Sequence, residues 1–269
     1  MSIALQVALV MVTILVVLLV IGAPIGVAIG MSSAVSMICM IPADVSFATS
    51  AQRIFAGSNS FSLIAIPFFI LAGNIMNNGG IATRLVNCAK VISGRMPGAL
   101  AQSNVVANML FGAISGSGAA AAAAMGGTIG PLEEKEGYDK NYSTAVNVAS
   151  APVGMLIPPS NTMIVYSSVA GSVSIAALFM AGYIPGLLWG GAVMILAGIM
   201  AKKRGYQAEQ RVPVKVALKT FWQAIPSLLL IVIVIGGILG GIFTATEGSA
   251  IAVVYATVLS LIYKAFKIK

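Results

Sequence analysis

Long apolar runs separated by short polar stretches dominate the pattern of the chain. Runs near the ~20 residues that a helix needs to cross a ~30 Å hydrocarbon core occupy 3–21, 24–41, 61–76, 175–200, 221–243 and 249–263. Each predicts a membrane span. The first has no basic start and no small-residue cleavage site, so it reads as a retained span. Three stretches depart from the pattern. Residues 79–95 set Arg84, Lys90 and Arg95 among apolar positions, which predicts an amphipathic helix lying in the interface. Residues 98–131 exceed one span and carry Gly112, Gly116, Gly118, Gly126 and Gly127, and residues 141–170 hold Pro152, Pro158 and Pro159 in their middle.

These last two segments predict chemistry. Residues 98–131, which include "FGAISGSGAAAAAAMGGTIGP" (111–131), split at Ser115-Gly116-Ser117-Gly118 into arms of roughly fifteen residues, about 22 Å each at 1.5 Å per residue. Such arms pass the centre of the core without crossing it, which predicts a re-entrant helical hairpin. "NVASAPVGMLIPPSNT" (147–162) predicts a spanning helix interrupted between Ser150 and Ser160. Bare backbone at membrane depth is tolerated only where protein covers it or a cavity hydrates it. Two broken elements meeting at the midplane are the arrangement of a secondary transporter's binding site, where half-helix N-termini favour anions and unwound carbonyls hold a cation such as Na⁺. Ser115, Ser117, Ser150, Ser160, Asn161 and Thr162 offer the oxygen ligands that a hard cation prefers. Packing is the competing reading, since small residues such as Ala119 to Ala124 let membrane helices approach closely.

Composition agrees with the pattern: 59% of residues are hydrophobic and 8% charged, against roughly a quarter charged in soluble domains. The net charge of +8 does not indicate a nucleic-acid partner. Lys202, Lys203, Arg204, Arg211, Lys215, Lys219, Lys264, Lys267 and Lys269 flank apolar runs, as orientation signals do. They place the 202–219 loop and the C-terminal tail in the cytoplasm and the N-terminus outside, a side that the resemblance described below would make the periplasm. With no histidine and two distant cysteines, Cys39 and Cys88, no zinc, haem or disulfide framework is expected, nor any catalytic group or organic cofactor.

Other features carry less. Gly22, Gly26 and Gly30, like Gly182, Gly186 and Gly190, are spaced as helix-packing faces. "GSGAAA" is no dinucleotide fingerprint. Glu133, Glu134, Glu136 and Asp139 read as a solvated charged loop, and Glu247 at a span boundary stays ambiguous.

Residues 112–186, with "GAISGSGAAAAAAMGGTIGPLEEKEGYDKNYSTAVNVASAPVGMLIPPSNTMIVYSS" followed by "SIAALFMAGYIPG", resemble the large membrane subunit of the tripartite ATP-independent periplasmic (TRAP) transporters, and the resemblance extends to "IPFFILAGNIMNNGGIA" and "FTATEGSA". It implies an all-α polytopic membrane protein of inverted-repeat, elevator-type architecture in a bacterial inner membrane. It also implies Na⁺-driven import of a carboxylate, such as a C4-dicarboxylate or sialic acid, delivered by a periplasmic substrate-binding protein, with a small four-helix membrane subunit as scaffold. Carried onto this chain, Ser115, Gly116, Ser117, Ser150, Pro152 and Gly154 would hold Na⁺. Gly118, Pro158, Pro159, Ser160, Asn161 and Thr162 would line the substrate, and 79–95 would be an arm between moving and fixed parts. The expected organisation is a first repeat over 1–205 and an incomplete second repeat, a cytoplasmic loop and two spans, over 206–269. The alternative is a non-transporting membrane scaffold or fragment whose hairpin only packs; a channel would need a carbonyl filter or a ring of acids that the sequence lacks.

Overall fold

The computed structural model describes residues 3–171, 173–206, 208 and 213–263, and its helices and turns form two compact units, 1–60 and 61–269. Arg211, Lys264, Lys267 and Lys269, used above for orientation, lie outside the described residues. The first unit contains α1 (Ile3–Val20), α2 (Ile25–Ile38) and α3 (Ala43–Ser58). None of the 18 residues of α1 is buried, although α2 packs along it, and a helix so apolar and so little covered suits lipid. Gly22 turns the chain at φ +86, where a side chain would be strained. The run at 24–41 yields a helix of only 14 residues, about 21 Å long and short of a full crossing. Pro24 and Pro42 stand at the starts of α2 and α3 and divide the apolar run. Helix α3 was not visible in the pattern because Asp44, Ser46, Ser50, Gln52 and Arg53 dilute its apolar positions; the Ser46 hydroxyl fastens it to the Ala34 carbonyl at 2.7 Å.

The second unit follows a short 3₁₀ turn at Phe61–Ile64 with α4 (Ala65–Asn78), α5 (Ile81–Ser93), α6 (Ala99–Ser115), α7 (Gly118–Thr128), α8 (Gly130–Lys135), α9 (Lys140–Ser150), α10 (Val153–Leu156), α11 (Asn161–Ala170), α12 (Ile175–Lys203), α13 (Val214–Leu239) and α14 (Ala245–Ile262). Among the described residues five helical stretches are long and apolar enough to cross a membrane: α1, 61–78, α12, α13 and α14. The pair Lys140–Leu156 and Asn161–Ala170, bent by 47°, makes a sixth if it forms one span.

Helix α14 buries the small residues Ala245, Gly248, Ser249, Ala252, Ala256 and Ser260 and packs against α4 and α13, with Gly248 facing Val234 and Ile238 of α13. Small residues one turn apart let helices approach where lipid supplies no hydrophobic drive between them. Helix α5 is amphipathic as expected, but Ile81, Leu85, Val86 and Ala89 are buried in a core that α6 and α13 share. Protein, not the lipid interface, covers its apolar face. Its Arg84 guanidinium lies 3.4 Å over the Tyr263 ring. Helix α13 starts at Val214, before the apolar run at 221, because Lys215 and Lys219 stand on exposed turns that lower its hydropathy without ending the helix.

Candidate functional site

The hairpin forms for local reasons. Helix α6 ends where Gly116 turns left-handed at φ +62, and a Cβ there would also stand 2.9 Å from the Pro159 carbonyl oxygen. Helix α7 begins where the Ser117 hydroxyl accepts the Ala120 N–H at 3.3 Å, an N-cap. The arms have 17 and 11 residues, about 25 and 16 Å, so neither crosses a ~30 Å core.

The facing element breaks at Pro152, which has no N–H to continue α9. After the single turn of α10 the backbone is extended at Ile157 and again at Ser160. Ser160 then caps α11 by accepting the Met163 N–H at 3.4 Å, while its own hydroxyl donates to the Met155 carbonyl.

Between hairpin and break runs a polar seam. Asn104, Asn108, Gly112 and Ser115 fall on one face of α6, at steps of four, four and three residues. Ser143, Asn147, Ser150 and Gly154 supply the opposing wall. The Asn108 amide nitrogen sits at 2.8 Å from Ser150 Oγ, 2.9 Å from Asn104 Oδ1, 3.0 Å from Asn147 Oδ1 and 3.5 Å from the Asn147 carbonyl. An amide has two protons to give, so these four oxygens compete for it. Asn147 in turn donates to the Ala122 carbonyl of α7 at 2.9 Å. Above this cluster Gly112 and Gly154 bring backbone against backbone; a Cβ on Gly112 would overlap Gly154 Cα and lie 3.1 Å from Gly154 N.

At the tip, the Asn161 N–H donates to the Gly116 carbonyl at 3.2 Å and its side-chain amide to the Ser115 carbonyl at 3.4 Å. Asn161 Oδ1 is buried without a hydrogen-bond partner among the described residues. Helices α7 and α11 both start here. Each N-terminus leaves N–H groups without intrahelical partners and carries the positive end of its dipole. Residues 98–132 and 141–201 contain no Asp, Glu, Lys or Arg, so helix ends and amides set the field of the site.

The residues expected to hold an ion fall at two levels. Ser115 and Gly116 meet the 159–161 segment, with Ser117 next in the chain capping α7, whereas Ser150 and Gly154 face Asn108 and Gly112, and Pro152 stands between them in the chain. Asn108 and Ser115 are seven residues apart on α6, about 10 Å of rise. Among the expected substrate residues, Pro158, Pro159 and Ser160 are buried at the break. A Cβ on Gly118 would stand 2.9 Å from Met155 Sδ and 3.1 Å from the Ala151 carbonyl oxygen, and Thr162 is exposed. Asn104, Asn108 and Asn147 escaped the sequence reading, although two asparagines four apart in an apolar helix are a readable signal of a polar face.

Glu133 requires a correction. It does not share the solvent with Glu134, Glu136 and Asp139 but is 1% exposed, because the short turn of α8 aims it between α6 and α9. It lines a cavity of about 340 Å³ with Asn104, Gly126, Ser143 and Asn147. Desolvation pushes its carboxyl above the usual range, and polar contacts from Ser143 and Asn104 pull it part of the way back. Neither contact closes into a hydrogen bond: Glu133 Oε1, Asn104 Nδ2 and Ser143 Oγ are each buried without one among the described residues. Asp139 behaves oppositely. The Tyr142 N–H and then the Arg204 guanidinium, 3.0 Å away, hold it below the usual range.

The remaining candidates resolve into structure. Glu247 closes a capping box with Thr244 at the start of α14. Gly182, Gly186 and Gly190 do pack closely, against Leu156, Ile157 and Met109 respectively. Gly22 and Gly26 do not, since no atom lies within 4 Å of where their Cβ would be.

With this geometry in view, the chain matches the family described as "Tripartite ATP-independent periplasmic transporter, DctM component" over residues 12–269. It is 54% identical to the uncharacterised protein YgiK of Salmonella typhimurium, over 87% of this chain and 54% of that one. It is 40% identical to the large permease protein of a sialic acid TRAP transporter of Vibrio cholerae, over 79% of this chain and 50% of that one. It is also 38% identical to the large permease protein of a C4-dicarboxylate TRAP transporter of Rhodobacter capsulatus, over 80% of this chain and 52% of that one. The chain thus spans about half the length of these relatives. A multi-pass helical membrane chain with a hairpin docked on a broken helix, matched to the family over nearly its whole length, belongs to the DctM component family of the tripartite ATP-independent periplasmic transporters.

Proposed function

We propose that this chain provides the hairpin and broken-helix half of the binding site of a Na⁺-coupled importer of an organic acid, working as the large membrane subunit of its transporter. The observation that carries the reading is the junction of the tip with the break, where Asn161 bonds to both Ser115 and Gly116. The N-termini of α7 and α11 converge on that junction and suit a carboxylate. The carbonyls of Ser115 and Gly116, at the C-terminal end of α6, and the unpartnered Asn161 Oδ1 suit Na⁺. In this reading Ser117 and Ser160 shape the site as caps, and Ser150, Pro152 and Gly154 support it from one level away. The relatives named for sialic acid and C4-dicarboxylate transport point to a carboxylate substrate handed over by a periplasmic binding protein. A small membrane subunit, an inverted second repeat, an elevator movement, inner-membrane residence and a periplasmic N-terminus complete the proposal.

The test is uptake by the assembled transporter in proteoliposomes, with the binding protein present, under an inward Na⁺ gradient or an equal K⁺ gradient. Uptake is expected with Na⁺ alone and is expected to cease when the binding protein is omitted. Equal uptake under both gradients would overturn the Na⁺ reading. Full uptake without the binding protein would overturn delivery.

A further inference from the structure

The seam described above does not end at Asn108. Asn104 receives the Asn108 amide on its Oδ1 at 2.9 Å, which turns its own Nδ2 away from that bond, and Nδ2 ends there with no partner. Beyond it lie Glu133 Oε1 and Ser143 Oγ, also without partners, on the wall of the same cavity. A run of buried polar groups therefore joins an acid at one end to Ser150, at the break of the helix, through two amides. Exposed Glu134, Lys140 and Thr144 also line this cavity, which gives it a polar mouth.

A fully ionised carboxylate in such a place needs a cation or several donors; among the described residues no cation pairs with Glu133, and Asn104 Nδ2 and Ser143 Oγ ease its charge without completing hydrogen bonds to Oε1. The ion pair found among the described residues joins Arg204 to Asp139, not to Glu133. The charged and titratable groups around the cavity are Glu134 on α8, Tyr138 in the turn before α9, and Lys140 and Tyr142 on α9; α6 and α7 bring none. Lys140 is exposed, so water screens its charge from the buried acid.

We infer that Glu133 is a proton-binding site: its carboxylate takes up a proton from the loop face through this cavity, and Asn104 and Asn108 carry the change in charge to Ser150. The ligand is H⁺ and the product of binding is the neutral carboxylic acid; no other bond is made or broken. Ionised, Oε1 draws the Asn104 Nδ2–H toward it. That holds Asn104 Oδ1 against the Asn108 amide, which in turn donates to Ser150. Neutral, the acid donates and wants an acceptor, so the Asn104 amide turns its oxygen to the acid and its nitrogen to Asn108. The buried Asn108 Oδ1, which has no partner in the present arrangement, is the acceptor that this reversal requires. The Ser150 hydroxyl, which until then accepts from Asn108 and donates to the Val146 carbonyl at 2.8 Å, turns its proton from that carbonyl to Asn108 Oδ1. The desolvation that raises the carboxyl's proton affinity supports this assignment. The proposal does not depend on what is transported.

The experiment is infrared difference spectroscopy of the purified chain in lipid nanodiscs, following the carbonyl stretch of a protonated carboxylic acid through a pH titration. The wild type is expected to keep that band at pH values above the ordinary glutamate range. Glu133→Gln should remove the band and Glu134→Gln should retain it. Ser143→Ala, which loses a contact that eases the charge, should move the midpoint further up. Asn108→Ala, which does not touch the carboxyl, should move it as well. Absence of the band, its survival in Glu133→Gln, or an unchanged midpoint in Ser143→Ala overturns the proton site, and the Ser143 variant decides if Glu133→Gln does not fold. An unchanged midpoint in a folded Asn108→Ala chain overturns the relay. Since nothing is transported in this assay, its failure leaves the Na⁺ reading standing, and failure of the uptake test leaves this one.

Discussion

Gly112→Ala is the sharpest perturbation of the seam. The added methyl overlaps Gly154 Cα and stands 3.1 Å from Gly154 N. Carbon atoms in contact prefer ~3.5–4.0 Å, so α6 and α10 must part by more than about 1 Å. No side chain can give way, because the opposing atoms are backbone. Overpacking of this kind costs about 1–3 kcal/mol, which in a chain of this size lowers the melting temperature by roughly 2–12 °C. The assay is thermal unfolding of the purified chain followed by a thiol-reactive dye, with Cys39, which is exposed, replaced by serine so that buried Cys88 alone reports. Gly127→Ala is the control: the same change in α7, with nothing within 4 Å of the new methyl. It should be neutral or raise stability by about 0.5–1 kcal/mol through helix propensity. Gly154→Ala should resemble Gly112→Ala. The two should combine non-additively, because once one methyl has parted the backbones the second finds room. If Gly112→Ala melts with Gly127→Ala, the two backbones do not touch and the account of the seam is wrong.

Ser117→Ala and Ser160→Ala each remove an N-cap at the tip and should each cost about 1 kcal/mol in the same assay; Thr at either position should recover most of it, and a silent Ser117→Ala would mean the cap is not formed. Stability should also depend on pH through two acids of opposite sign. The folded chain binds the Glu133 proton more tightly than the unfolded chain, so this group's contribution is greatest at low pH and falls as pH rises from the ordinary carboxylate range through the raised folded value. Glu133→Gln should flatten that fall, and an unaltered profile would refute the burial. Exposed Asp139, held low by Tyr142 and Arg204, contributes above its unfolded value and loses that contribution as pH falls through the folded one. Asp139→Asn should remove only this second, acid-side slope.

Membrane residence, helical class and the two irregular segments were legible along the chain because each follows from local physics. Twenty apolar residues specify a span, Gly116 with its positive φ ends a helix, Ser117 and Ser160 cap the next ones, and Pro152 cannot continue the last. Even the meeting of tip and break could be anticipated, since few places in a bilayer tolerate bare backbone. What the chain could not show is which faces meet. Asn108 and Ser150 are 42 residues apart, and nothing near either one announces the other. Docking of α6 on α9 and α10 placed Ser150 beside Asn108 and Ser115 beside Asn161, one ligand set in the sequence reading but two levels in space. The same docking decided that α5 faces protein instead of lipid, that α2 stops short, and that Glu133 is buried while Glu134 beside it is wet. Burial and partnership are properties of surfaces brought together from distant parts of a chain. A residue's own neighbours in sequence determine its backbone, and only the packed structure determines what its side chain meets.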